Sequence, residues 1–595
     1  MRVRRIAKLA HARWKRLRGV SRQLGLNSMV RGMVGDLRRL RKQVAAEDLI
    51  SVVLVCANGS LSQCKDTVAS FRKHGSPAAE LVLVPGGAVG FAALEKLVRQ
   101  EGADSAMSMR VVSQPPHAPQ FLNSLKGKKI LYLEPGDQVL RGGLTVLAHA
   151  VLTYEDTALV YSDDVLLGAD GKAIDLSSKP AFDPVYLMGR NYIGKAALFD
   201  RQRLMELSAS FAEVGATPPS YQHTLIFLRG VGDSEVRHVP FPSLGVEDRS
   251  SQLSAMERNE RLLEERRFLS MAVSMPGQDV FVGRGTVPTS HRVDLIPDAE
   301  NSWPAVHIIV PNKDAPELIE RVLYDLIAST DYPNRTITIV DNGSTDPATL
   351  DVYERYKVGH GIRVLMHEEP FNFARSINHG LGSLEGPGHI LLVNNDVEVQ
   401  HRDWLKEMVS CLSFAGTGIV GAKLLYPDGR LQHAGVHVGC KNGADHAYLG
   451  EPESTLGRGH CLTVRHSVSC VTGAVMLISH DCALKLGQWD EGNFAVAYND
   501  VDYCMRAHKA GFRIVWTPFA TLVHRESVSR SKDRSPSRKA QFRKEKSALR
   551  SIHRTVEYLD PAHHPLLSRR HRTPRFSFVR RLPKARRWFE PQWDQ

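Results

Sequence analysis

A chain of 595 residues is too long for one ordinary domain, so several are expected. Its 43% hydrophobic and 24% charged content is that of a globular protein, which excludes disordered and collagen-like classes. The net charge of +13 is concentrated at the two ends, and eight Cys occur without a C-x-x-C pair, so neither a zinc site nor a disulfide framework is indicated.

No apolar run is long enough to cross a bilayer, and the N-terminus lacks the apolar core of a secretory signal. A reducing cytoplasm is therefore the expected compartment. Residues 1–46 interleave Arg4, Arg5, Arg13, Lys15 and Arg16 with Ile6, Leu9, Trp14 and Leu17. That pattern reads either as a basic amphipathic helix lying on an anionic membrane or as a solvated arm. The end of the chain, 531–595, is a similarly basic extension. Nucleic acid would suit such charge, but no nucleic-acid motif accompanies it, and none is expected as partner.

Residues 48–56 predict a first strand, Leu81–Val84 a second, and 129–133 another that ends in Glu134-Pro-Gly-Asp137. Strands alternating with helical stretches predict a parallel α/β sheet over 47–250. Residues 251–303, helical and then rich in Pro and Asp, read as a linker. A second series starts at 304, with strands at Val306–Val310 and Thr336–Val340 and a helix over 316–329. The two series resemble each other: Ile130–Leu133 matches Ile390–Val393, Val139 matches Val399, and Val239-Pro240-Phe241 matches Thr517-Pro518-Phe519. Two tandem α/β domains are expected.

The chemistry gathers in the second half, in polar residues that follow strands, where α/β sheets bind their ligands. Pro311, Asn312 and Asp314 follow one strand, and Asp341 and Asn342 another. A carboxylate at Asp341 can accept the N3–H of a pyrimidine; the competing reading is an Asx-type turn at Asn342-Gly343. Asn394-Asn395-Asp396 ends a buried apolar run. Asp396 can hold Mg²⁺ or Mn²⁺ on a diphosphate and the two amides can bond sugar hydroxyls; a polar turn is the alternative. Asp500 lies at the start of a predicted helix, where it reads as a general base or as an N-cap, while Asp502 and Arg506 read as a structural i,i+4 pair. His524 reads as a metal ligand or as a structural imidazole.

Residues 304–530 resemble an inverting family-2 glycosyltransferase of GT-A fold, of the rhamnosyltransferase-like group that builds bacterial O-antigen and other surface polysaccharides. The resemblance rests on VPNKD at 310–314, VDNGSTD at 340–346, FNFARSIN at 371–378, LLVNNDVEV at 391–399, GAKLLYPDGRLQHAGV at 421–436, VTGAVML at 471–477, AVAYNDVDYCMR at 495–506 and TPFATLVHRES at 517–527. It implies that Asp341 contacts the base of a nucleoside diphosphate, UDP or dTDP. It also implies that Asp396 and His524 hold the metal, that Asp500 is the catalytic base, and that Asn499 and Arg375 face sugar or acceptor. The acceptor it implies is a lipid-linked oligosaccharide, met by a cytoplasmic enzyme peripheral to the membrane. Two departures stand out: the usual DXD is Asn-Asn-Asp, and the usual Glu-Asp is Asn499-Asp500.

The first half resembles the amino-terminal half of tandem members through Tyr161-Ser-Asp-Asp164 and Asn191-Tyr-Ile-Gly194. Laid on the second half, it places Pro85 at Asp341, Gly136 at Asp396, Gln222 at Asp500 and Val246 at His524. A degenerate domain is expected, with Asp137 the one residue through which a second active centre could survive. A non-catalytic binding scaffold is the other alternative.

Overall fold

The computed structural model describes Val44 and residues 49–575, apart from 77, 103–107, 117, 155, 169, 209–219, 249–253, 275–277, 298–302 and 526–534. The basic amino-terminal segment and residues 576–595 thus lie outside the described residues, as does the side chain of Gln222. No helix among the described residues is long and apolar enough to cross a membrane.

The amino-terminal unit is built on β1 (Ile50–Val55), β2 (Ala79–Val84), β3 (Met109–Val111), β4 (Lys129–Leu133), β5 (Gln138–Val139), β6 (Leu159–Leu167), β7 (Ala173–Ser177), β8 (Ala197–Asp200) and β9 (Val236–Glu247). β1 is buried at every position, as its unbroken apolar run requires of a strand covered on both faces. The chain leaves it through Ser60, whose hydroxyl caps the helix Leu61–His74 while Gln63 caps in return. The sheet runs β3-β2-β1-β4-β8-β6-β9-β5, with β7 on β6.

Residues 251–303 are more than the linker expected from sequence. They form a helix, Ala255–Val273, and an antiparallel hairpin of β10 (Gln278–Arg284) and β11 (His291–Pro297). The Pro and Asp content misled because the hairpin's alternation is masked by its charged outer face.

The carboxy-terminal unit follows with β12 (Val306–Asn312), β13 (Arg335–Asp341), β14 (Arg363–Met366), β15 (His389–Val393), β16 (Val397–Val399), β17 (Thr417–Leu425), β18 (Leu431–His433), the separate pair β19 (Val436–Val438) and β20 (Ala444–His446), then β21 (His466–Ser467), β22 (Val475–Ile478) and β23 (Arg513–His524). Its sheet runs β14-β13-β12-β15-β22-β17-β23-β16, with β18 on β17 and β21 on β23. Strand for strand this is the order of the first sheet, with the same parallel and antiparallel pairings. Both units are mixed, largely parallel α/β sheets of one topology.

The registers define which positions correspond. Ile50 pairs with Ala79 and Lys129 as Val306 pairs with Arg335 and His389. Carried three residues past β4 and one past β2, this sets Gly136 at Asp396 and Pro85 at Asp341. Likewise Val139 opposite Leu244 matches Val399 opposite Leu522, which sets Val246 at His524.

The units are joined by directed bonds. Asp183 accepts from the Ser467 amide at 2.6 Å and hydroxyl at 2.8 Å, Tyr186 donates to the Gly459 carbonyl at 2.5 Å, and Arg458 donates to Ser178 at 2.8 Å. The described part of 531–595, residues 535–575, is likewise more than an extension. The helix Pro536–His553 packs on the carboxy-terminal unit, and the following strap reaches the amino-terminal one, where the Ala181 amide donates to the Pro561 carbonyl at 2.9 Å.

Candidate active site

The carboxyl ends of β12, β13 and β15 lie side by side, because the three strands are parallel and in register. Asn312 and Asp341 are direct partners across the β12–β13 ladder, with Pro311 one residue earlier opposite Val340. A chain of hydrogen bonds crosses this edge. The Asn395 amide donates to Asn312 Oδ1 at 2.6 Å, Asn312 Nδ2 to the Tyr353 hydroxyl at 2.5 Å, and that hydroxyl to Asp341 Oδ2 at 2.5 Å. Asp341 is fully buried and also accepts from the Ser344 amide and hydroxyl. Its carboxylate therefore fixes the loop that follows β13 in this structure.

Neighbouring positions are held as tightly. Asp314 adopts φ of 50° and accepts from the amides of Thr345 and Asp346, which hold its carboxyl below the usual range. Asn342 spends its amide hydrogens on the carbonyls of His367 and Glu369, at 3.0 and 2.8 Å, and leaves a buried Oδ1 without a partner. On the rim, Arg375 is bridged to Glu369 at 2.6 Å and Glu491 at 3.3 Å.

Asp396 and His524 are brought together by the β16–β23 ladder, in which Val397 opposes His524 and the Arg525 amide donates to the Asp396 carbonyl. Asp396 Oδ1 lies 3.0 Å from His524 Nε2. The tautomer is set from behind. Gln432 uses its amide nitrogen on the His524 carbonyl at 3.2 Å, so its oxygen faces His524 Nδ1 at 2.7 Å and Nδ1 carries the proton. His524 Nε2, which also has the Asn394 amide at 3.4 Å, then faces a buried carboxylate oxygen that has no hydrogen bond of its own. Two acceptors at that distance need a shared cation, either a proton or a metal ion. The donor set, one carboxylate and one imidazole with the amide of Asn394 at 3.4 Å from Nε2, fits a divalent metal that completes its sphere with ligand oxygens.

Asp500 opens the helix Asn499–Lys509. It is preceded by Tyr498 at φ of 61°, a left-handed conformation that costs a non-glycine residue energy and is kept where a site needs it. The Gly473 amide donates to Asp500 Oδ2 at 3.1 Å, and the next residue's carbonyl, Ala474 O, accepts from the Asn394 amide at 2.9 Å. The loop of Gly473 and Ala474 thus touches both Asp500 and the segment that carries Asp396. Asn499 is buried with an Nδ2 that finds no acceptor among the described residues. Asp502 and Arg506 form the expected i,i+4 pair at 2.9 Å.

Three contributors went unassigned in the sequence. Gln432 stands inside the quoted GRLQHAGV run but is separated by 92 residues from the histidine it orients. Tyr353 sits on a helix surface pattern that marks it only as core. Glu545 had a legible signal, being the lone acid in the basic helix Pro536–His553. It is buried and accepts from the Ala497 amide at 2.5 Å, while Phe542 rests on Tyr498 with ring centroids 5.4 Å apart. That helix therefore braces the segment that presents Asp500.

A second cluster has metal-like spacing: Asp163, His238 and His564 bring ligand atoms within 4.8 Å of one another. Hydrogen bonding accounts for it without a metal. His564 Nδ1 accepts from the Leu566 amide at 3.1 Å, so its proton lies on Nε2, which donates to Asp163 at 2.8 Å. His238 Nε2 meets the other carboxylate oxygen at 3.0 Å. Burial pushes Asp163 up, but the two imidazoles together hold its carboxyl well below the usual range. The cluster fastens the carboxy-terminal strap to the amino-terminal unit. A cavity of about 170 Å³ lies beside it between the units, lined by Lys179, Asp183, Tyr186, Tyr192 and Arg458 and by none of the candidate catalytic residues.

Residues 304–547 match the family described as "Glycosyltransferase like family 2". The carboxy-terminal unit is thus a family-2 glycosyltransferase domain, of the transferase class that moves sugars. Over 559 residues, 91% of this chain and 60% of the relative, it is 30% identical to the uncharacterized protein y4gI of Sinorhizobium fredii. It is 30% identical to the O-antigen biosynthesis protein RfbC of Myxococcus xanthus over 69% of this chain and 32% of that protein. It is 26% identical to an N-acetylglucosaminyl-diphospho-decaprenol L-rhamnosyltransferase of Mycobacterium tuberculosis, over 36% of this chain and 74% of that one. The chain spans well under two thirds of the length of the first two relatives. Among solved structures, the mannosyltransferase PcManGT of Pyrobaculum calidifontis, in complex with GDP-Man and Mn²⁺, is similar with a TM-score of 0.29 and 21% identity, over 39% of this chain and 59% of that one.

Proposed function

We propose that this protein is an inverting glycosyltransferase that moves a sugar from a nucleoside-diphosphate donor, UDP- or dTDP-linked, to a hydroxyl of a lipid-linked surface glycan. Residues 304–530 would be the catalytic domain, 47–250 a degenerate copy. The observation that carries the reading is the unpartnered Asp396 Oδ1 at 3.0 Å from Nε2 of His524, with the loop of Gly473 and Ala474 between this pair's segment and Asp500.

In this reading Asp500 accepts the proton of the acceptor hydroxyl as its oxygen attacks the anomeric carbon. The position suits a base, since the helix N-terminus favours the carboxylate and the Gly473 amide holds it in place. Asp396 and His524 would hold Mg²⁺ or Mn²⁺, which when bound supplies Lewis-acid stabilisation of the leaving diphosphate. Asn312, Asp314, Asp341 and Asn342 shape the floor for the nucleotide. With the Asp341 carboxylate engaged by Ser344 and Tyr353, a base would meet it only by sharing an oxygen. Asn499 and Arg375 face sugar or acceptor. The relatives named for O-antigen synthesis and rhamnosyl transfer support the acceptor class. The basic termini favour a cytoplasmic enzyme peripheral to an anionic membrane, and nucleic acid is not a partner.

The test is release of nucleoside diphosphate from a panel of UDP-, dTDP- and GDP-sugars with Mn²⁺ and a lipid-linked acceptor. One donor should turn over. Asp500→Asn should lower kcat by about 10²–10⁴-fold while donor binding persists. Equal turnover by Asp500→Asn, or release of pyrophosphate instead, would reject the mechanism.

A further inference from the structure

The amino-terminal unit repeats the sheet but not the chemistry, and one side chain shows what became of its crevice. The pairing of Ile130 with Phe199 matches that of Ile390 with Ile478, so Lys195 stands where Ala474 stands and Gly194 where Gly473 stands. Where Ala474 carries only a methyl group, Lys195 sends an ammonium into the crevice. It lies 2.6 Å from Glu134 and 2.9 Å from Asp137. Glu134 corresponds to Asn394, and Asp137 follows Gly136, the counterpart of Asp396.

The rest of the crevice is closed around this pair. Asp137 is fully buried and accepts from the amides of Glu134 and Glu247, at 2.9 and 3.2 Å. Gln63 donates to both oxygens of Glu247, at 3.1 and 2.9 Å. Gly136 has φ of 93°, which disfavours any side chain, and a Cβ there would lie 2.2 Å from the Glu247 carboxylate, so an acid at the position equivalent to Asp396 would strain the backbone and displace Glu247. Burial raises Asp137 on balance, whereas the two carboxylates hold the Lys195 amine above its usual range.

We propose that the Lys195 ammonium is a tethered substitute for a divalent cation, so that the amino-terminal unit takes no metal–nucleotide complex and Glu134 and Asp137 form a latent cation site that the lysine fills. The equivalence rests on the reading of Asp396 and His524 as the cation site of the other unit. It explains the survival of Asp137 without a second active centre: the carboxylate persists because it neutralises an internal charge, and a buried charge left alone is costly.

The experiment measures Mn²⁺ binding by electron paramagnetic resonance on the full chain with Asp396→Asn and His524→Ala. That background is expected to bind no Mn²⁺. Adding Lys195→Gly should create one bound equivalent, and adding Asp137→Asn to that should abolish it. The proposal is overturned if the background already binds Mn²⁺ through Asp137, or if a folded Lys195→Gly variant binds none. Should that variant not fold, Lys195→Met keeps the aliphatic stem. Its melting temperature is then expected to rise with Mn²⁺ and to lose that rise with Asp137→Asn; no rise rejects the proposal. No arm depends on sugar transfer, and Mn²⁺ binding by the unaltered chain through Asp396 tests the other reading separately.

Discussion

At the scale of single residues, a few side chains act by fixing others. Gln432 touches no candidate substrate position, yet it decides which nitrogen of His524 carries the proton and so which one turns a lone pair toward Asp396. Removing such a supporting partner costs metal sites about 10–100-fold in affinity. Gln432→Leu should therefore shift the Mn²⁺ activation curve to higher concentration by that factor, with kcat at saturating Mn²⁺ largely retained. A fall in kcat with no shift would assign Gln432 to packing alone. Tyr353 acts in the same manner: it caps the Asp341 carboxylate and passes the restraint through Asn312 to Asn395, so one phenol links the ends of three strands.

At the scale of elements, the helix Pro536–His553 braces the candidate site although its sequence reads as a basic tail. Glu545 bonds the Ala497 amide, and His553 donates to Asp502 at 2.7 Å, so the helix grips both ends of the segment holding Asp500. Glu545→Ala leaves a buried amide unpaired, at a cost of about 1–3 kcal/mol. Steady-state kinetics should show kcat falling with the donor KM unchanged, because the donor loops lie on other strands. An unchanged kcat would show that Tyr498 and its neighbours hold their conformation unaided. The hairpin of β10 and β11 plays a comparable part on the opposite side, where Arg292 and Asp294 join a buried network.

At the scale of the whole molecule, that network ties the connecting hairpin to the carboxy-terminal sheet. Glu407 accepts from Arg465 at 2.7 Å and from Thr517 at 2.6 Å, while Arg465 also reaches Asp294 at 2.6 Å. Burial pushes the Glu407 carboxyl up, but Arg465, Thr517 and Arg292 outweigh it and bring it from 4.5 to about 2. Because the folded value lies below the unfolded one, the stabilisation is complete above pH 4.5 and is lost as pH falls toward 2. Glu407→Gln leaves Arg465 with Asp294 as its one remaining carboxylate partner and should cost up to about 3–5 kcal/mol at neutral pH. Thermal melts across pH should show that deficit narrowing below pH 4.5. A deficit independent of pH would assign the loss to packing rather than charge.

Much of the site was legible because its residues sit at the ends of strands, where an apolar run breaking into Asn, Asp or His marks both the strand's end and its chemistry. Asp341 and Asp396 could each be found that way and Asp500 by its place at the start of a predicted helix, and strand order preserved in two halves made the repeat readable despite low identity. What the residues' partners are could not be read. That Asp341 is already engaged by Ser344 and Tyr353, that Gln432 orients His524, and that Lys195 fills the crevice of the first unit are contacts between segments far apart in the chain. Local periodicity carries no information about such pairs, since only the packing of one sheet edge against another brings their polar atoms within bonding distance. The sequence by itself determined the α/β class, the doubled architecture and the acids to be considered as candidates. The tertiary structure alone decided which of those acids has an oxygen free to share a cation, because that depends on who else donates to it.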